Sequence, residues 1–286
     1  MAGRDRNVEV FKALMQRCRK DKALSRAIEN SIAGQYILHE YDELSVPDGH
    51  RFASPANIIV SKKRSLEAAS AYAVKGRKTC VLNFASATRP GGGVTTGAGA
   101  QEECLCRCST LYPCISDAKT SRGFHERHVS ELRSGMLDRL YNDDCIFTPG
   151  VVVCNTDTAD PEPMPENRWY SVDVISCAAP NLRSTPNAYS LTDSRDSRAL
   201  SRPELSALHE KRIRRVLDLA KVEGAEVIIL GAFGCGAFEN PPDVVAWAMR
   251  MAVKDYLYDF DTIEFAVYCT PRDRQNYEKF RLLQKG

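Results

Sequence analysis

Residues 201 to 233 confine the chain to few folds. Ser201 and Glu204 stand at capping-box spacing. Leu205, Leu208, Ile213, Val216, Leu217 and Ala220 then mark one face of a long helix, which Gly224 ends. The strand that follows carries "VIIL", apolar throughout and without polar alternation. A strand apolar on both faces belongs inside a sheet covered by helices on each side, so the pattern predicts a three-layer α/β/α sandwich.

The same alternation runs through most of the chain. From Thr79 come the strand-like "TCVLNFA", a helix from about Gln101, and "HVSELRSGMLDRLY", helical by periodicity. The strand-like "WYSVDVISCAA" follows, and after the unit above come a helix behind Pro241 and Pro242 and the strand-like "TIEFAVYCT". Ahead of Thr79, Val8, Phe11, Leu14, Met15 and Cys18 recur at helical spacing, and Lys22 to Tyr36 carries Leu24, Ala27, Ile28 and Ile32. "ANIIVSKKR" reads as a short strand, and Ser65 opens a helix that Gly76 closes. The polar, proline-rich "NTDTADPEPMPENRW", at 155 to 169, reads as an exposed loop. No internal repeat or low-complexity tract interrupts the pattern.

Composition narrows the function. The 286 residues, 43% of them hydrophobic, can build a sizeable core. Lys and Arg total 39 against 37 Asp and Glu, a formal charge of +2 that suggests neither general nucleic-acid binding nor an acidic tail. Any anion must be recognised locally. The opening "MAGRDRNVEVFKALMQRCRK" lacks an apolar signal region, and runs such as "EVIILGAF" are far short of a membrane span. Eleven cysteines in a chain of this size read as reduced thiols of a cytoplasmic protein. Six of them, Cys80, Cys145, Cys154, Cys177, Cys235 and Cys269, lie in or beside apolar segments as small hydrophobes.

Two glycine-rich loops carry the chemistry. "PGGGVTTGAGA" leaves the strand that ends near Ala85, and "GAFGCGAFENPP" leaves the one that ends near Leu230. If these strands are parallel, both loops open at the same edge of the sheet, where open α/β folds bind ligands. The second loop leads into a helix, so its free N–H groups can receive a phosphate or diphosphate. Neither loop has the Lys-Ser or Lys-Thr of a Walker motif, and "GAGAQE" and "GCGAFE" place Glu102 and Glu239 where a dinucleotide fingerprint needs its third glycine. One such cluster would read as a turn; two after two core strands point to a site.

The spacing of three glycines, seven residues and "QEE", followed by "LCRCSTLY", resembles the signature of the bacterial-type poly(ADP-ribose) glycohydrolases, which have the macrodomain fold. "LNFASATRPGGG", "FTPGVVV", "VDVISCAAPN" and "ILGAFGCGAFENPPDVVA" resemble further segments of that family in the right order, over roughly residues 58 to 283. The resemblance implies a three-layer α/β/α macrodomain with a mixed central sheet at 58 to 286. Residues 1 to 57 resemble the family's short N-terminal helical extension, packed on the core.

It also implies an activity, hydrolysis of the ribose–ribose O-glycosidic bonds of poly(ADP-ribose) to release ADP-ribose, without metal or organic cofactor. The polymer or ADP-ribosylated proteins would be substrate, with no membrane partner. Carried over, Gly91, Gly92 and Gly93 give close backbone approach to the distal ribose, with Gln101 among the substrate-binding residues. Gly234, Cys235, Gly236 and Ala237 bring N–H groups to the diphosphate. Phe238 resembles the aromatic that packs against the terminal ribose, although a helix start also needs a core phenylalanine. By resemblance Glu103 is the acid that then activates the attacking water, and Glu102 holds ribose hydroxyls. Such cleavage needs a proton for the leaving oxygen, and a glutamate in a dry cleft, its pKa raised by desolvation, can give it. Without the family, two acids at a helix N-terminus would read as dipole partners.

Other functions stay in view: a mono-ADP-ribosyl hydrolase acting on protein or nucleic acid, or a non-catalytic ADP-ribose-binding module. The Glu pair argues against the module, because binding alone needs no carboxylate at the scissile bond. Cys104, Cys106 and Cys108 alternate along a helix and do not converge on one ion, a departure from the small residues expected there. "HERH" at 125 to 128 lacks zinc-protease spacing and reads as solvent-facing or core.

Overall fold

The computed structural model describes residues 2–183 and 200–285; residues 184–199 and 286, within the expected catalytic region, lie outside the described residues. Helices α1 (Ala2–Lys20) and α2 (Lys22–Gly34) lead into strand β1 (Tyr36–Leu38), and β2 (Asn57–Ser61) and α3 (Ser65–Ala73) follow. Next come β3 (Thr79–Phe84), α4 (Gln101–Cys108), α5 (Leu111–Ile115), α6 (Ala118–Thr120), a π-helical turn (Ser121–Glu126) and α7 (Arg127–Ser134). Strands β4 (Cys145–Val153) and β5 (Tyr170–Cys177), helix α8 (Arg202–Val222), β6 (Val227–Leu230), α9 (Pro242–Val253), β7 (Thr262–Ala266) and α10 (Gln275–Phe280) complete the order.

The seven strands form one mixed sheet in the order β1-β4-β5-β3-β6-β7-β2. Strands β5, β3, β6, β7 and β2 are parallel, and β4 runs antiparallel to both of its neighbours. Side-chain alternation divides the core between the two faces. Cys80, Leu82, Ile228, Leu230, Ile263 and Phe265 pack with Ile213, Val216 and Leu217 of α8, Val245 and Met249 of α9 and Phe280 of α10. On the opposite face Val81, Val227 and Ile229 pack with Leu66 of α3, Leu105 and Cys106 of α4, Leu111 of α5 and Phe11 of α1. The three layers expected from "VIIL" are present, and each large apolar side chain buried between them contributes about 1.5–3 kcal/mol.

The N-terminal segment is joined to the sheet. Strand β1, which helical periodicity through Tyr36 concealed, pairs Ile37 with Ile146 of β4. Helix α1 lies on the first glycine-rich loop: Asn7 Nδ2 donates to the Gly97 carbonyl at 3.0 Å, and a Cβ on Gly97 would collide with the Arg4 carbonyl.

Two expectations need correction. The helical reading of "HVSELRSGMLDRLY" holds only to Ser134, because Gly135 takes φ +73° and closes the turn. The chain then continues without helix to Tyr141, itself at φ +58°. The loop from 155 is not wholly exposed: Asn155 is buried, its Nδ2 donating to the Arg107 carbonyl at 2.9 Å, and the Leu66 N–H donates to Asp157 Oδ2 at 3.0 Å.

Candidate active site

Because β3 and β6 are parallel, the two glycine-rich loops do open at one edge of the sheet. They border a cleft of about 1020 Å³, large even among small-molecule sites. Its walls include Gly92, Gly93, Gln101, Glu102, Glu103, Gly234, Gly236, Ala237 and Phe238. The structure thus brings most of the expected residues to one cavity. Gly91 and Cys235 are not among the residues that line it.

Each glycine of the first loop has its own reason. Gly91 and Gly92 adopt φ +67° and +57°, which a side chain would strain. A Cβ on Gly91 would come within 2.8 Å of the Tyr112 ring, and one on Gly92 within 2.5 Å of Glu103 Oε1 and 3.0 Å of Glu102 Oε2. At Gly93 it would meet Ala98 at 2.8 Å. The bare backbone therefore lets the loop close on the two carboxylates.

The carboxylates are held differently. Glu102, 3% exposed, accepts from the Ser86 N–H at 2.8 Å on Oε2 and from Asn83 Nδ2 at 3.4 Å on Oε1. Burial pushes its pKa up to about 8 against the relief given by the Ser86 N–H, and the neighbouring Glu103 charge raises it further. Glu103 accepts from the Gly93 N–H at 2.8 Å on Oε1. Its Oε2 is buried with no protein partner. One carboxylate is thus held through both oxygens and the other through one.

Gln101 lines the cleft and is also bonded into the fold around it. Its side-chain oxygen accepts from the Phe84 N–H at 2.9 Å, and its Nε2 donates to the Leu82 carbonyl at 2.8 Å and to Ser65 Oγ at 3.0 Å. The amide ties the first turn of α4 to the end of β3 and the start of α3, which aims the two glutamates. Asn83, not singled out from the sequence, joins Glu102 to Ser176 Oγ on β5, 2.9 Å away. Its signal was an amide in an otherwise apolar strand, where a buried polar group needs partners.

The second loop turns on Gly234 and Asn240. Gly234, at φ +75°, leaves room for Asn240, whose Nδ2 donates to the carbonyls of Pro180 at 2.7 Å and Gly234 at 3.0 Å. His209 Nε2 lies 2.9 Å from Asn240 Oδ1. Burial drives the His209 pKa down to about 4, so the neutral ring donates through that nitrogen. Beyond Gly234 the backbone N–H groups of Gly236, Ala237 and Phe238 have no partner among the described residues. A Cβ on Gly236 would meet nothing within 4 Å. The Cys235 N–H, in contrast, donates to the Ala232 carbonyl at 3.1 Å and is taken up within the loop. Phe238 is half-buried, its ring centroid 6.2 Å from that of Tyr141.

The remaining candidates fall outside this chemistry. Cys106 and Cys108 are buried in the core, and Cys104 edges the cleft with its sulfur 3.4 Å from Arg107 Nη2 and 3.5 Å from Arg64 Nη1. His125 and His128 are both buried, which resolves "HERH" as core.

Comparison with known proteins agrees with this fold. The model of the microbial-type PARG catalytic domain matches residues 7–156. A crystal structure of poly(ADP-ribose) glycohydrolase from Thermomonospora curvata is similar, with a TM-score of 0.81 and 25% identity over 98% of this chain and 100% of that one. One from Deinococcus radiodurans, in complex with ADP-ribose, gives 0.73 and 26% over 90% of this chain and 97% of that one. A search of curated proteins finds no match. Among the described residues no helix is long and apolar enough to cross a membrane. With half of its length matched by the family model and nearly all of it by the fold, the chain belongs to the microbial-type poly(ADP-ribose) glycohydrolase catalytic domain family.

Proposed function

We propose that this glycohydrolase cleaves the ribose–ribose bond of poly(ADP-ribose) with Glu103 as its acid and base. The observation that carries the assignment is the unpartnered, buried Oε2 of Glu103 in the cleft wall. A buried carboxyl oxygen without a protein partner calls for one from a bound ligand, such as a glycosidic oxygen; the two oxygens of Glu102 are already engaged.

In this mechanism the diphosphate rests on the N–H groups of Gly236, Ala237 and Phe238, and Phe238 packs against the ribose next to it. Glu103 gives its proton to the leaving oxygen as the bond to the anomeric carbon breaks. Positive charge develops on that carbon and the ring oxygen, beside the carboxylate that Glu103 becomes on giving up its proton. A water adds to the carbon and returns a proton to Glu103, restoring the acid and leaving free ADP-ribose. Glu102 orients the ribose hydroxyls. Gln101 acts as a positioning residue, holding the start of α4 so that both carboxylates face the loop. Proton transfer and fixed dipoles complete these steps.

The test is incubation with protein bearing the polymer, resolving free ADP-ribose from protein-linked remnants. Release of ADP-ribose supports the reading. Tight ADP-ribose binding without release would favour a binding module, and loss of the last protein-linked unit alone would favour a mono-ADP-ribosyl hydrolase.

A further inference from the structure

One buried histidine has surroundings that core packing does not account for. His125, 1% exposed on the π-helical turn between α6 and α7, has no hydrogen-bond partner at either ring nitrogen. His128 is as deeply buried and has both, with Nδ1 2.7 Å from the Phe124 carbonyl and Nε2 2.8 Å from Asn142 Oδ1. A buried polar group left unpaired is destabilising, and native structures keep few of them. Single π-helical turns, too, occur mostly at functional sites.

What lies in front of the ring connects it to the carboxylates. The carbonyls of Ala87 and Ser86 face it, and neither accepts from a backbone N–H among the described residues. Both belong to the strip of chain that leaves β3. Ser86 and Thr88 line the cleft, and Ala87 between them is buried. At one end of the strip the Ser86 N–H donates to Glu102 Oε2 at 2.8 Å; at the other the Arg89 carbonyl accepts from the Gly92 N–H at 3.0 Å, where the glycine loop begins. We infer that His125 is a positioning residue, backing this strip from behind so that the Ser86 N–H meets Glu102.

The ring is neutral, because burial pushes its pKa down to about 3 against the opposing pull of the Ala87 and Ser86 carbonyls. A neutral imidazole offers one N–H and one bare nitrogen. In a dry setting that N–H attracts a facing carbonyl even short of a closed hydrogen bond. The Phe124 ring meets the imidazole edge-on, with centroids 5.0 Å apart, and fixes its plane. An apolar side chain in its place would fill similar volume and pull on neither carbonyl. The Ser86 N–H would then hold Glu102 less firmly, and because that bond favours the charged carboxylate, weakening it raises the Glu102 pKa. The consequence for turnover rests on the glycohydrolase reading above; the consequence for Glu102 does not.

The test compares His125→Phe with His125→Asn and His125→Gln, whose amides return an N–H near Nδ1 and Nε2 respectively; His125→Leu replaces the phenylalanine variant if the larger ring does not fold. Three quantities are read: the titration midpoint of Glu102 by carbon-13 NMR, assigned with Glu102→Gln, the Tm, and release of ADP-ribose from the polymer. In the apolar variant the midpoint should move to higher pH and kcat fall by at least about tenfold. Its Tm should not fall, because an orphaned polar group has been removed. Asparagine or glutamine should restore both the midpoint and kcat. An unmoved midpoint in the apolar variant, or an equal move in every variant, would overturn the inference, and a lowered Tm with an unmoved midpoint would make the histidine merely structural. Failure of the wild type to release ADP-ribose would overturn the glycohydrolase reading and leave the Glu102 midpoint to decide this one.

Discussion

A Cβ placed on Gly92 would lie 2.5 Å from Oε1 of Glu103. The contact is shorter than atoms tolerate, and φ at Gly92 is +57°, so the loop must move if that position carries any side chain. The Gly93 N–H that holds Glu103 would move with it. Gly92→Ala should therefore lower turnover by at least about 100-fold, the scale of one general acid. Much of the protein's stability should remain, because the cleft, not the core, absorbs the shift. Thermal denaturation measured beside polymer kinetics checks both halves.

Glu102 makes stability depend on pH. Its folded pKa is about 8 against an ordinary 4.5, so the folded protein binds the extra proton between these values. Stability then falls as pH rises through that window, and the loss is complete above the folded pKa. Glu102→Gln removes the titration. Its Tm should vary less than that of the wild type between pH 5 and pH 8.5, with the difference greatest at the alkaline end. Parallel melting curves for the two proteins across that range would contradict the buried proton. Turnover of the variant should also fall and its affinity for the polymer weaken, because the ribose loses its orienting partner.

Gly234 and Gly236 should respond in opposite ways. Gly236→Val adds a side chain where the protein leaves open space, so the fold should survive while ADP-ribose binding weakens. Gly234→Val would drive a Cβ to 2.6 Å from Asn240 Nδ2 and from Ala179, at a backbone angle of +75°. That variant should melt several degrees lower or fail to fold. Calorimetry on folded material separates the cases, and equal ADP-ribose affinity in Gly236→Val and wild type would move the diphosphate elsewhere.

Metal removal should leave turnover in place. In the proposed mechanism the bond is broken by a proton donor, fixed N–H groups and a water. Exhaustive chelation is expected to change polymer hydrolysis by less than about twofold. Loss of activity restored by one added metal ion would point to a different chemistry.

The sequence displayed the fold through periodicity and the site through glycines. "VIIL" between a capped helix and a glycine loop could only be an interior strand, and Ile228 and Ile229 do face opposite layers. Strand β1 escaped because three residues following a helix carry too little alternation, and its pairing to β4 is a long-range choice. The two carboxylates were visible at the start of α4, but the proximity of Gly92 to them was not. Spacing along the chain does not say which way a loop folds back. The bonds by which Gln101 holds the start of α4 were hidden for a related reason, since an amide takes whichever backbone groups the tertiary structure leaves open. The positive φ of Tyr141 was hidden by a helical pattern that Gly135 ends early.

The most direct test is Glu103→Gln. The substitution keeps shape and hydrogen-bonding capacity, including acceptance from the Gly93 N–H, and removes only the proton donor. Release of ADP-ribose from the polymer is timed for wild type and variant at equal concentration, and ADP-ribose affinity is measured for both. Release should fall by about 10²- to 10⁴-fold in Glu103→Gln while affinity stays near that of the wild type. Near-normal release by the variant would contradict the assignment of Glu103 as the acid.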